Sequence, residues 1–92
     1  MGGGAIDRFG KSLEAERNAS RETVRAYLRE VRALRRHLVE STGLDPESPA
    51  GWSSVSPADL RRFLASPAAG REPSTVARKL SAVRTFFSFL VS

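Results

Sequence analysis

Between Ser20 and Gly43 the apolar residues Val24, Tyr27, Leu28, Val31, Leu34 and Leu38 recur at steps of three and four. That is the spacing of one face of an α-helix. Ser20 is a good N-cap, and Glu22 in the first turn complements the helix dipole. Gly43 can take the left-handed conformation that ends a helix. A stripe this long needs partners, and the rest of the chain supplies three more. No stretch alternates apolar and polar residues long enough to read as a strand, so the chain is expected to be all-α, with four helices.

The first helix reads as residues 5–18, with Ile6, Phe9 and Leu13 inward. The third opens on Ser56, Pro57 and Asp59: a cap, a proline at the first helical position and an acid three residues after the cap. Leu60, Phe63 and Leu64 face the core, and it stops near Pro67. Ser74 is expected to cap the fourth, which runs over residues 75–91. Its stripe is Val76, Leu80, Val83, Phe86, Phe87 and Leu90, with Leu80 a central contact. Phe89 does not fit that stripe; either it is partly exposed or it packs against something outside this chain. Pro46, Pro49 and Gly51 mark residues 43–55 as a loop, and Gly70 and Pro73 mark residues 67–73 as another. Trp52 and Val55 are expected to cover one end of the core.

Ninety-two residues make one domain, and 40% hydrophobic content suffices for a compact core. The absence of cysteine excludes disulfides and thiolate metal sites. A single histidine, His37, cannot make a histidine metal cluster. No apolar run approaches the roughly 20 residues that span a bilayer. The N-terminus lacks a hydrophobic leader core, so a cytoplasmic protein is expected. Residues 1–4 are set outside the fold, as a flexible start or an appended scar.

The net charge is +5, and 13 of the 15 bases are arginine. Residues 17–37 hold seven arginines against two glutamates, and residues 71–92 hold four bases against one acid. The intervening segment is acidic. Two concentrated basic segments favour a polyanionic partner. On the second helix Arg25, Arg29, Arg32 and Arg36 recur at steps of four, three and four, which makes one ridge. On the fourth, Ser74, Arg78, Ser81, Ala82 and Thr85 share a face of mostly small side chains, which would let a helix approach a flat partner closely. An α-helix fits the major groove of DNA, and its first turn can offer amides to phosphate.

Catalytic groupings are thin. Tyr27, the sole tyrosine, lies on the apolar stripe and is expected in the core. His37 is expected on the surface, near the helix C-terminal dipole. Glu14 and Glu16 cannot face each other on a helix. There is no phosphate-binding glycine loop and no acidic metal cluster, so neither cofactor nor metal is expected.

Three stretches in order resemble one known family. Residues 16–27 carry Glu16, Arg17, Ser20, Thr23 and Tyr27 in the pattern ER-x-x-S-x-x-T-x-x-x-Y. Residues 55–64 are similar to a short third helix. Residues 78–90 read R-x-L-S-A-x-R-x-F-F-x-x-L, from Arg78 to Leu90. Together they resemble the N-terminal core-binding domain of tyrosine recombinases, the phage-integrase and Xer family, and the Xer subgroup most closely. The resemblance covers residues 5–91. It implies a SAM-like four-helix bundle whose second and fourth helices approach the major groove of duplex DNA and its phosphate backbone. By position it implies contacts from Thr23, Arg25 and Arg32 on the second helix, and from Ser74, Thr75, Arg78 and Ser81 on the fourth. Arg29 is added by the ridge alone. The family's catalytic arginines, lysine, histidines and nucleophilic tyrosine belong to a second domain, and nothing in this sequence matches them. The resemblance therefore implies a fragment that binds DNA and cleaves nothing, monomeric by itself. Its parent would be a recombinase that assembles as a tetramer on DNA and acts through a 3′-phosphotyrosyl intermediate. A helical protein-interaction module is the alternative, because such bundles also serve that role. An RNA-binding domain would instead prefer single strands or loops.

Overall fold

The computed structural model describes residues 4–16, 18–48, 51–67 and 70–91. Residues 1–3, Arg17 of the first motif, Pro49 and Ser92 lie outside the described residues. Four helices follow one another: α1 (Ala5–Ala15), α2 (Arg21–Thr42), α3 (Pro57–Ala65) and α4 (Pro73–Val91), with a short 3-10 turn at Trp52–Ser54 before α3. The described residues contain no strand. α2 and α4 pack on each other and form the middle of the bundle; α1 and α3 each pack on both.

The ends of these helices follow from their caps. The Ser20 hydroxyl accepts the Thr23 amide at 3.1 Å. Gly43 closes α2 at φ 77°, where a side chain would be strained. Ser56 and Asp59 form a full capping box: the Asp59 amide donates to the Ser56 hydroxyl at 3.2 Å, and the Ser56 amide donates to the Asp59 carboxylate at 3.0 Å. Two boundaries differ from expectation. α1 ends at Ala15 rather than 18, because Asn18 turns to φ 52° and the Ala19 amide donates back to the Leu13 carbonyl. α4 begins at Pro73, and its first turn closes with the Val76 amide donating to the Glu72 carbonyl. Ser74 therefore sits inside the helix and is not its cap. Proline at the first helical position needs no amide partner, which lets the helix start earlier.

The N-terminus of α1 is held from far along the chain. Gly4, set outside the fold on sequence grounds, precedes the helix and accepts the Arg8 amide through its carbonyl. Glu47 accepts the Ala5 and Ile6 amides, each at 2.9 Å. A carboxylate on two unpaired amides at the positive end of a helix dipole is a favourable placement. Arg35 on α2 grips Asp45 with two hydrogen bonds, at 2.9 and 2.7 Å, and Asp45 in turn accepts the Glu47 amide. The loop after α2 is thereby tied to both α1 and α2.

The core is apolar and aromatic. Phe9, Phe63, Phe86, Leu13, Leu34, Leu38 and Val31 are fully buried. Phe9 meets Phe86 edge-on at 5.1 Å and stacks on Tyr27 at 6.4 Å. Trp52 closes one end against Phe86 and Phe87, at 4.8 and 5.9 Å. Gly10 lets α1 lie close on α2; a Cβ there would stand 3.2 Å from Leu28. Phe89 is partly exposed, the first of the two readings of its place outside the stripe. It packs against Phe9 at 5.5 Å, on the flank opposite Phe87. The aromatic end of α4 is wide enough to present two flanks to one bundle.

The phase of α4 is a correction. Its buried residues are Lys79, Ala82, Val83 and Phe86. Leu80 and Val76 are half-buried and do not join the core cluster. The inward face is thus rotated away from the expected stripe, and Lys79 takes the central position given to Leu80. Ala82 belongs to this inward face, where its small side chain serves packing within the bundle rather than an outside partner. His37, near the end of α2, is partly exposed and leans on Phe63 at 5.3 Å.

Candidate nucleic-acid interface

α2 is a regular helix of 22 residues, so residue numbers fix directions around it. Arg25, Arg29, Arg32 and Arg36 fall within an arc of about 60° and run about 16 Å along the axis. All four are exposed. Among the described residues none of them is held in a salt bridge, whereas Arg35, Arg62, Arg78 and Lys79 are. The ridge is therefore a line of positive charge whose donors face solvent.

Thr23 does not share that arc. It lies about 160° round from Arg25 and about 180° from Arg32. It is exposed in the first turn, where its hydroxyl accepts that of Ser20 at 2.9 Å. Thr23 shares its side of α2 with Glu30, which faces α4. On α4, Ser74, Arg78, Ser81 and Thr85 fall within about 60° of one another. Ser74, Arg78 and Ser81 are exposed, while Thr75 is half-buried. The Thr85 hydroxyl donates to the Ser81 carbonyl at 2.9 Å.

The eight residues singled out by sequence thus fall into two groups. Arg25, Arg29 and Arg32 form the outer ridge. Thr23, Ser74, Arg78 and Ser81 belong to the side where α2 meets α4, with Thr75 partly withdrawn behind them. Two further residues join the second group. The Lys79 ammonium reaches the Glu30 carboxylate at 2.5 Å, with Glu30 only 4% and Lys79 only 9% exposed. The other Glu30 oxygen lies 3.7 Å from Nε of Arg78, whose side chain remains 60% exposed. Sequence reasoning missed this pair. Its trace was there: Lys79 stands three, four and seven residues before Ala82, Val83 and Phe86, a cation in an inward position that needs a buried acid.

Elsewhere the described residues show no group of three histidines, aspartates or glutamates placed to hold a metal ion. None of the described helices is long and apolar enough to cross a membrane.

The family model for the phage integrase N-terminal SAM-like domain matches residues 6–92. The chain belongs to that family. Its relatives include tyrosine recombinase XerC of Chlorobaculum tepidum, 35% identical over 94% of this chain and 26% of the relative. XerC of Lactobacillus delbrueckii subsp. bulgaricus is 32% identical over 91% of this chain and 27% of its own length. XerC of Vibrio vulnificus is 33% identical over 94% and 26%. The chain spans about a quarter of the length of these recombinases and corresponds to an N-terminal domain of the tyrosine-recombinase type. No solved structure matches it significantly. The all-α, SAM-like bundle expected from the motifs is the fold observed.

Proposed function

We propose that this domain binds duplex DNA for a site-specific tyrosine recombinase, using α2 and α4 as the contacting helices. The observation that carries the reading is the exposed ridge of Arg25, Arg29, Arg32 and Arg36 on a helix of a recombinase N-terminal domain. DNA carries about one negative charge per 1.7 Å of axis, so a ridge this long can meet several phosphates and release their counterions. Because the ridge and the α2–α4 side point in different directions, we assign them different work. The ridge lies along a phosphate strand. Arg78, Ser74 and Ser81, with Thr23, face the major groove, where an arginine can pair with guanine. Thr75 supports the first turn of α4. Strand cleavage belongs to residues outside these 92; Tyr27, stacked on Phe9, is a packing residue. The parent recombinase acts as a tetramer on DNA in the cytoplasm, and the domain alone is a monomer of low affinity.

Titration with duplex DNA at several salt concentrations tests this. Affinity is expected to fall with salt at a slope of about −0.9 per phosphate met. Arg32→Ala flattens that slope by about one unit on any sequence. Arg78→Ala costs about 1–3 kcal/mol on the parent's own site and less elsewhere. Binding that ignores salt, or that survives the double substitution, would replace this reading with a protein-interaction module.

A further inference from the structure

We propose that Glu30 is a positioning residue: from its buried site it holds the guanidinium of Arg78 in place beside the seam between α2 and α4, with Lys79 as its counter-charge. Only what Arg78 then does rests on the proposed DNA reading. A carboxylate near a DNA-facing surface would ordinarily repel phosphate. Here it is withdrawn from solvent, and one oxygen is taken by Lys79 at 2.5 Å. Its second oxygen is turned to Nε of Arg78 at 3.7 Å. The three side chains together carry a net +1, and that charge is presented by the one member that remains exposed.

Stability is a poor reason for such an arrangement. A buried ion pair rarely outperforms well-packed apolar groups, and its clearest use is to fix geometry. Ion-pair contact along the Nε edge leaves most of the guanidinium's five donors available. It also restrains a long side chain before any ligand arrives. An arginine already ordered loses less entropy on binding.

The test uses Glu30→Gln combined with Lys79→Met. That double variant removes the buried pair without changing net charge and leaves no buried charge unpaired, so it is expected to fold. In the first arm, NMR relaxation of the Arg78 Nε–H reports side-chain order without any DNA. Arg78 is expected to be more ordered than exposed Arg84 in the parent and to match it in the double variant. Equal mobility of the two in the parent overturns the proposal.

In the second arm, a random-sequence duplex pool is titrated at fixed salt. The double variant is expected to bind about 2- to 10-fold more weakly, the cost of ordering one flexible side chain at binding. Adding Arg78→Ala should then cost less than it does in the parent, because the two changes act on one contact. Unchanged binding by the double variant, or a fully additive Arg78→Ala, overturns the proposal. A parent that does not bind duplex at all sinks the DNA reading instead, and the first arm still decides whether Glu30 holds Arg78.

Discussion

The two halves of α4 are joined to the bundle by different physics. Residues 82–91 are held by shape: Phe86 is fully buried between Phe9 and Trp52, with Phe87 and Phe89 on either flank. Residues 73–81 are held by charge: Lys79 reaches Glu30, while Val76 and Leu80 sit half-buried away from the core cluster. Apolar burial supplies free energy but little direction. A buried ion pair supplies direction at little net gain. The half of the helix that carries the proposed DNA contacts is thus the half whose orientation is set by a directional bond.

The largest expected effect lies in the aromatic half. Phe86→Ala should cost about 3–5 kcal/mol, from lost transfer energy and the cavity left between Phe9 and Trp52. A small domain has about 5–15 kcal/mol in all, so this variant should be near unfolding at room temperature. Chemical denaturation followed by Trp52 fluorescence reads it directly. A midpoint close to that of the parent would remove the distinction between the two halves.

Next comes the charged half. Lys79→Met leaves the Glu30 carboxylate buried without its closest partner, which should cost about 3 kcal/mol. Arg78 at 3.7 Å offsets only part of that. Adding Glu30→Gln should recover most of the loss, since neither neutral side chain then demands a counter-charge. If Lys79→Met alone is as stable as the parent, the pair is solvated in solution and the directional role falls.

The comparison also shows what the sequence could reveal. Caps are local chemistry, so Ser20, Gly43 and the Ser56–Asp59 box were legible without any structure. The stripe of α2 was legible too, because its inward positions are apolar apart from Glu30. α4 was misread in its first half for a physical reason. A stripe assembled from apolar residues alone must pass through Val76 and Leu80, whereas the inward positions include a lysine and an alanine. Lys79 is buried against Glu30, 49 positions earlier in the chain; the inward spacing of Lys79 is a local trace, but the identity of its partner is not. The same limit applied to Glu47, whose caps on Ala5 and Ile6 bridge two distant segments. The arginine ridge was legible from spacing alone. That Thr23 faces away from it is also written in the spacing, since nine residues make two and a half turns.

Leu80 gives a smaller effect that sharpens the point. Fully buried leucines typically lose about 2–5 kcal/mol on truncation to alanine. Leu80 is half-buried and outside the core cluster, so Leu80→Ala should cost about 1 kcal/mol, well below Phe86→Ala. Measuring both by the same denaturant titration fixes the phase of α4. A cost above that of Phe86→Ala would restore the stripe read from apolar residues alone.

The smallest effect concerns a charge contact on the surface rather than in the seam. The Arg35 hydrogen bonds, then that of the Glu47 amide, hold the Asp45 carboxyl below its ordinary range, and the same contact raises the Arg35 guanidinium. A depressed carboxyl contributes stability above its unfolded value, near pH 4, and loses it as pH falls through the folded value. Raised Arg35 titrates far above neutrality and adds nothing to this acid limb. Both side chains are more than a third exposed, so Asp45→Asn should cost only about 0.2–1 kcal/mol at pH 7. Asp59 is also held below its ordinary range, by the Ser56 amide and hydroxyl, so the global acid transition alone does not isolate Asp45. Position does. Asp45 accepts the Glu47 amide, and Glu47 caps Ala5 and Ile6, so loosening Asp45 should be felt at the start of α1. Hydrogen exchange at the Ala5 and Ile6 amides should accelerate in Asp45→Asn and stay unchanged in Asp59→Asn. Equal exchange in the two variants would mean that Glu47 holds α1 without help from Asp45.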